Sequence, residues 1–169
     1  MSESTAKQSL TRRSLLTGAG AITLTALTGC AGDTVYSVTE ETQQDLWSAR
    51  ANELEQYEVS GGTNYIYDLE NGGDYAGKEM SHTPVVELDN LTAKINVNHP
   101  MNVDHWITTV YLKDQSGTVV FLREFLPQDQ NMDGKLSFDV ELPTGVTKLQ
   151  AYAFCNKHDL WKSAEVSVG

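Results

Sequence analysis

Four histidines and two cysteines are the side chains of this sequence best suited to binding a transition metal. They are His82, His99, His105, His158, Cys30 and Cys155. Imidazole and thiolate bind borderline transition metals well, but four nitrogens and one sulfur exceed the four ligands of a tetrahedral zinc site. If Cys155 joins the four histidines, the set suits iron with one coordination position left open.

The elements that must position these side chains are predicted to be strands. After residue 81, apolar and polar residues alternate, as at 91–97 and 136–142, which is typical of strands with one buried face. Turn signals at 114–117, 133–134 and 143–145 separate the segments. The predicted strands are 83–88, 91–97, 105–113, 118–125, 136–142, 147–154 and 161–168.

This pattern predicts an all-β fold, an immunoglobulin-like antiparallel β-sandwich of about seven strands with a short N-terminal helical or irregular extension. Residues 40–57 form the predicted helix of that extension, with Thr39 as N-cap and an apolar stripe of Leu46, Trp47, Leu54 and Tyr57. Each histidine and Cys155 falls at the edge of a predicted strand. Strand ends of a sandwich cluster at two poles, so residues distant in sequence can meet there.

The N-terminus has the pattern of an export signal. TRRSLL at 11–16 resembles a twin-arginine signal, and LTGC at 27–30 resembles a lipoprotein cleavage box. On this interpretation residues 1–29 are a signal peptide and Cys30 is lipidated. The protein is then expected on the outer side of the bacterial cytoplasmic membrane, at its periplasmic or extracellular face. Residues 30–72 form a linker with the possible helix, and 73–169 form the β-sandwich.

Charge and cysteine content restrict the partners. The chain carries 12 Lys and Arg against 23 Asp and Glu, a net charge of -11, which becomes -13 without residues 1–29 because they carry three basic residues and one acidic one. This acidity argues against nucleic acid as a partner. With Cys30 committed to lipid, Cys155 has no disulfide partner, and an exported thiol is open to oxidation unless something occupies it.

Three segments resemble the iron-binding segments of the superoxide reductase family, which includes neelaredoxin and the C-terminal domain of desulfoferrodoxin. They are SHTPVVEL at 81–88, NHPMNVDHWI at 98–107 and CNKHDLW at 155–161, and the resemblance runs from about residue 73 to 164. The resemblance implies an immunoglobulin-like sandwich with one iron in a square pyramid. His82, His99, His105 and His158 would be its equatorial ligands and Cys155 its axial ligand. It also implies one-electron reduction of superoxide to hydrogen peroxide, with an external donor such as a rubredoxin-like protein.

The chain departs from the family in one place. The family usually has a Glu-Lys pair directly before the first histidine, and the lysine attracts superoxide. Here those positions are Met80 and Ser81, and Lys78 and Glu79 lie two residues upstream. Lys78 and Glu79 are therefore the candidate catalytic residues, and Lys157 and Lys162 are candidates for a local positive patch.

Further expectations concern the surroundings of the sulfur and the alternatives. Backbone N–H groups of 156–158 are expected to donate hydrogen bonds to the Cys155 sulfur, and Trp106 and Trp161 are expected to pack beside the site.

One alternative function is that of an exported non-haem iron protein for electron transfer or for redox or nitric-oxide sensing, without superoxide turnover. The other is a metal-free sandwich that binds a protein or small ligand. The sequence leaves open the donor and the oligomeric state, including a homo-oligomer.

Overall fold

The computed structural model describes residues 26–28, 34–36, 40–57, 66–127 and 135–169. The chain divides into two compact units, Met1–Thr39 and Glu40–Gly169. In the first unit, strand β1 (Ala26–Thr28) pairs antiparallel with β2 (Thr34–Tyr36). The twin-arginine segment, Cys30 and the predicted N-cap Thr39 lie outside the described residues.

The second unit holds one long helix, one short helix and nine strands among its described residues. They are α1 (Glu40–Glu55), β3 (Ile66–Tyr67), α2 (Glu79–His82), β4 (Val85–Asp89), β5 (Thr92–Val97), β6 (Ile107–Asp114), β7 (Val119–Glu124), β8 (Leu136–Glu141), β9 (Lys148–Cys155), β10 (Asp159–Lys162) and β11 (Val166–Ser167). A 3-10 turn at Gly73–Tyr75 precedes α2. None of the described helices is long and apolar enough to cross a membrane.

The strands form two sheets. One sheet has the order β3-β10-β9-β6-β7, with β11 also paired to β9, and the other has the order β4-β5-β8. All pairings in the second unit are antiparallel except that of β3 with β10. The prediction of an immunoglobulin-like β-sandwich is confirmed.

The main core lies between the sheets and follows from the alternation of the strands. Ala93, Ile95 and Val97 of β5 pack with residues of β8, β6 and β9 in one buried cluster. Because side chains alternate across a strand, one face of β6 and β9 enters this core and the other points away from it.

Helix α1 covers the outer face of the larger sheet. Ala51 and Leu54 of α1 are buried with Tyr111, Tyr152 and Phe154. This second layer explains why β6 and β9 are buried almost continuously. The predicted apolar stripe of α1 is only partly right, because Leu46 and Tyr57 are 60% and 52% exposed.

Two other predictions are wrong in detail. The last predicted strand, 161–168, is two separate strands, β10 and β11, with Ser163 between them; the Ser163 side chain accepts a hydrogen bond from the Ala151 N–H at 2.9 Å. His82 does not lie at a strand edge but ends α2, a single helical turn that is too short to produce a periodic pattern.

Candidate metal centre

Turns and strand ends bring the five predicted ligands to one end of the sandwich. His82 ends α2, and His99 and His105 lie in the connection between β5 and β6. Cys155 is the last residue of β9, and His158 lies in the turn to β10. A register shift between Ile107 and Thr109, opposite Cys155, bends β6 next to this connection, as bulges beside functional sites commonly do.

The five ligand atoms converge. Among the described residues, the group of His, Cys, Asp and Glu side chains whose ligand atoms lie within 4.8 Å of one another consists of His82, His99, His105, Cys155 and His158. His82, His99 and Cys155 are at most 1% exposed, whereas His105 and His158 are half-buried. The centre therefore meets solvent on the side of His105 and His158.

The four imidazole nitrogens form a near-square. Going round it, His82 Nε2 lies 3.1 Å from His99 Nε2, which lies 3.1 Å from His105 Nε2. His158 Nδ1 closes the figure at 3.0 Å from His105 and 2.9 Å from His82. A square with sides of about 3.0 Å has its centre about 2.1 Å from each corner, a usual length for a metal–imidazole bond.

The sulfur lies off the plane of this square. Cys155 Sγ is 3.5 Å from His99 Nε2 and 3.6 Å from His158 Nδ1, which are opposite corners. In the plane, a sulfur at these distances would overlap a third nitrogen, well inside van der Waals contact. The sulfur is therefore a fifth donor atom on one face of the four nitrogens, and the five side chains would suit a metal that accepts both imidazole and thiolate ligands.

The histidines hold no protons that a metal would have to displace at neutral pH. Burial, together with the neighbouring histidines, lowers the pKa of His82 to about 3. The same causes lower the pKa of His99 and of His158 to about 4, and burial lowers the pKa of His105 as well. Neutral imidazoles present lone pairs, which a cation at their centre can accept.

The thiol requires a cation for its ionisation. Burial raises the pKa of Cys155 to about 11, partly opposed by the backbone N–H groups of Lys157 and His158. A buried thiol that faces four neutral imidazoles fits a metal better than a metal-free role, because coordination deprotonates thiols outright.

Hydrogen bonds from the outer nitrogens orient two of the imidazoles. His82 Nδ1 lies 3.1 Å from the Lys78 carbonyl and 2.8 Å from the Ser81 hydroxyl. His99 Nδ1 donates to the Pro100 carbonyl at 2.6 Å. With these nitrogens carrying the proton, Nε2 is the free donor that points to the centre.

The expected hydrogen bonds to the sulfur are present in part. The Lys157 N–H lies 3.4 Å from Cys155 Sγ. The Asn156 N–H instead donates to the Trp106 carbonyl at 3.2 Å, which corrects the expectation for that residue. The Asn156 side chain ties the same turn to the His105 segment, because it accepts from the Trp106 N–H at 3.0 Å and donates to the Asp104 carbonyl at 3.0 Å.

Aromatic rings enclose the His82 and His158 side of the centre. The fully buried Trp161 ring lies 5.2 Å from the His82 ring, and its Nε1 donates to the His158 carbonyl at 2.7 Å. The Tyr75 ring lies 5.2 Å from the His158 ring. Trp106 bonds to the Phe125 carbonyl and packs against the sandwich core. Sequence reasoning missed Tyr75, because its turn has no periodic pattern.

Two lysines, Lys78 and Lys157, place positive charge near the histidines of the centre. Lys78 is exposed, and its charge contributes to the lowered pKa of His99, His105 and His158. Lys157 contributes in the same way at His105 and His158, although its Nζ lies 3.4 Å from Asp104.

The other two predicted charged residues have partners of their own. Lys162 Nζ lies 3.8 Å from the Asp68 carboxylate. The Glu79 carboxylate accepts a hydrogen bond from the Gly77 N–H at 2.8 Å. A catalytic role for Glu79 stays a prediction.

Fold and donor set define a β-sandwich metalloprotein with a four-histidine, one-cysteine centre. The desulfoferrodoxin family model matches residues 74–164, which is more than half of the chain. The chain therefore belongs to the desulfoferrodoxin family, which confirms the family expected from its sequence. Together with the donor set, this membership identifies the cofactor as mononuclear iron.

Solved structures of superoxide reductases are similar to this chain. That from Treponema pallidum is 34% identical, with 51% of this chain and 66% of that chain covered and a TM-score of 0.41; the match spans just under two thirds of that protein. The neelaredoxin from Ignicoccus hospitalis is 22% identical, with 61% and 93% covered and a TM-score of 0.46. The one-iron enzyme from Giardia intestinalis is 21% identical, with 52% and 97% covered and a TM-score of 0.43. No curated protein matches the chain.

Proposed function

We propose that this protein is a superoxide reductase, which converts superoxide to hydrogen peroxide with one electron and two protons. The observation that supports this most directly is the centre itself: a near-square of nitrogens, a sulfur on one face, and solvent access beside His105 and His158. When bound, iron supplies the electron by passing between its ferrous and ferric states.

The ligand residues have distinct roles in this proposal. The four neutral imidazoles would hold the ion without adding charge to it, so the Cys155 thiolate would be the one anionic donor among the five. A thiolate donor would supply electron density to a bound iron, which favours reduction of an oxygen species. The Lys157 N–H near the sulfur moderates this donation.

Lys78 and Lys157 attract the substrate in this proposal. Superoxide is an anion, and the two lysines produce a positive field at the two half-buried histidines, His105 and His158. Local charges decide the field at the mouth of a site, because salt screens charges farther than about 8 Å away. Lys78 thus replaces the family lysine from a position three residues farther upstream.

Rapid oxidation of the ferrous protein by superoxide tests this function. The full chain is loaded with ferrous iron and mixed with superoxide produced by pulse radiolysis, and the loss of the ferrous form is followed by absorbance. We expect oxidation at a near diffusion-limited rate with hydrogen peroxide, and not oxygen, as product. A ferrous form that superoxide leaves unchanged would favour the electron-transfer or nitric-oxide-sensing alternative.

We also propose that the protein is exported and anchored through lipid on Cys30, and that an external one-electron donor returns the iron to the ferrous state. The pattern of 11–16 and 27–30 supports the anchoring. Expression of the full chain with labelled fatty acid in a bacterial host tests it. The wild type should carry label and sediment with membranes, whereas Cys30→Ala should do neither; label on Cys30→Ala would refute lipidation at this residue.

A further inference from the structure

The Glu79 carboxylate lies inside the loop that precedes the first ligand. We call residues 72–78 the glycine loop. Glu79 Oε2 accepts a hydrogen bond from the Gly77 N–H at 2.8 Å, near the C-terminal end of the loop. At the N-terminal end, a Cβ added to Gly72 would lie 2.2 Å from Glu79 Oε1. One carboxylate therefore contacts both ends of the loop.

The glycine loop runs along one edge of the near-square. In its middle, the Tyr75 ring packs edge-on against the His158 ring at 5.2 Å. At its end, the Lys78 carbonyl lies 3.1 Å from His82 Nδ1. His82 and His158 are neighbouring corners, 2.9 Å apart, so the loop fixes Lys78 beside the metal centre.

Gly72 leaves room for the Glu79 carboxylate, and its backbone conformation does not itself call for glycine. Its φ of -84° and ψ of -8° are open to any L-residue. It is buried, and the space that a side chain would occupy is taken by the Glu79 carboxylate. The pair of Gly72 and Glu79 is thus matched in shape, which is the usual reason for a glycine where two groups approach closely.

We propose that Glu79 is a positioning residue, whose carboxylate holds the glycine loop closed and so keeps Lys78 and Tyr75 against the centre. The closure of the loop does not depend on the substrate. Only the expected effect of Glu79 on the oxidation rate rests on the proposed function, in which superoxide is the substrate. It makes Glu79 neither a metal ligand nor a proton carrier, since the carboxylate is committed to Gly77 and packed against Gly72.

Hydrogen exchange tests the loop closure without reference to activity. The iron-loaded full chain is compared with Glu79→Ala and Glu79→Gln by mass spectrometry of peptides that cover 70–82. We expect the amide of Gly77 to exchange at least tenfold faster in Glu79→Ala, because its acceptor is lost. Glu79→Gln keeps a side-chain carbonyl as acceptor, so its Gly77 amide should exchange at the wild-type rate. Glu70→Ala is the control, since it removes a nearby exposed carboxylate that lies outside the loop.

Gly72→Ala provides a second variant that leaves the Glu79 carboxylate in the chain. Its Cβ would press on Glu79, and less severely on the Cα of Ala76 at 3.1 Å. We expect faster exchange of the loop in Gly72→Ala alone. In the Glu79→Ala background the same change should add little, because coupled residues are not additive. Full additivity of the two changes would contradict the proposal.

The rate of oxidation by superoxide is the third readout. We expect Glu79→Ala and Lys78→Met each to lower it about tenfold, and Glu79→Ala to have no further effect in the Lys78→Met background. Glu79→Gln should keep the wild-type rate and the wild-type visible spectrum of the oxidised form. A changed spectrum in Glu79→Gln would show that Glu79 binds the metal and would overturn the proposal.

The outcomes separate this proposal from the proposed function. Unchanged exchange in Glu79→Ala overturns the positioning role, whatever the reactivity of the wild type. If superoxide does not oxidise the ferrous wild type while hydrogen exchange follows the expected pattern, the positioning role is supported and the superoxide reductase proposal is wrong.

Discussion

Burial and mutual proximity prepare the five ligand side chains for a cation. The lowered pKa values of the histidines, about 3 for His82 and about 4 for His99, keep them neutral when the centre forms. Four lone pairs that converge at about 3 Å repel one another unless a positive ion lies between them. The raised pKa of Cys155 couples metal binding to the release of one proton.

Replacement of Cys155 by serine should separate the role of the sulfur from that of the nitrogens. In Cys155→Ser we expect iron to be retained by the four imidazoles, while the thiolate-to-iron absorption of the oxidised form is lost, because an alcohol is a much harder and less easily ionised donor. Metal analysis and the visible spectrum of the oxidised protein measure the two effects. A visible band that persists in the variant would show that Cys155 does not bind the iron.

At this scale the ligand set could be predicted, and its surroundings only in part: the Lys157 N–H at the sulfur and Trp161 beside His82 were expected. Histidine and cysteine are scarce in this chain, and the convergence of Cys155 with the histidines was predicted from places at strand ends, although His82 reaches the centre from a helical turn. Tyr75 and the Glu79 contact with Gly72 depend on the path of an irregular turn, which no local pattern of the sequence specifies.

Among the elements, the strands were predictable and the layers on them were not. Alternation predicted β5 and β8 within two residues, because one face of each strand is buried and the other is not. The docking of α1 on the sheet was not predicted. Two residues of its described part, Ala51 and Leu54, are buried, whereas Leu46 on the same helix is exposed, so the helix shows no continuous apolar face. That contact comes from tertiary packing and not from helix periodicity.

Truncation of Leu54 should show how much α1 contributes to the stability of the sandwich. Leu54 is 3% exposed and packs against the outer face of the larger sheet. We expect Leu54→Ala to lower the free energy of unfolding by about 2–5 kcal/mol through lost burial and the resulting cavity. Urea denaturation of the iron-loaded protein measures it.

Leu46→Ala is the matched control on the same helix. Leu46 is 60% exposed, so its truncation should change the free energy of unfolding by no more than about 0.5 kcal/mol. If the two variants were equally stable, the packing of α1 on the sheet would be refuted.

For the molecule as a whole, net charge and local charge oppose each other. Without residues 1–29 the chain carries a net charge of -13, which repels an anion at long range. Lys78 and Lys157 act in the opposite sense at the half-buried His105 and His158. At the ionic strength of a cell, charges beyond about 8 Å are largely screened, so the local pair should dominate.

The salt dependence of the oxidation rate decides which field controls the approach of superoxide. We expect the second-order rate constant of the wild type to fall as ionic strength rises, because salt weakens the attraction by the two lysines. In the double variant Lys78→Met and Lys157→Met we expect a rate at least tenfold lower at low salt. In that variant the rate constant should stay constant or rise with ionic strength, because the remaining net negative charge of the molecule repels the anion and salt weakens this repulsion.

A double variant of equal net charge separates the local field from the total charge. Lys94 lies in the middle of β5, and Lys148 begins β9 at the end opposite Cys155. Seven residues of strand place Lys148 on the order of 20 Å from the sulfur, beyond the screening length. Lys94→Met with Lys148→Met should therefore keep both the rate and the salt slope of the wild type. If Lys94→Met with Lys148→Met slowed the reaction as much as Lys78→Met with Lys157→Met, total charge would govern the capture of superoxide. The roles assigned to Lys78 and Lys157 would then be wrong.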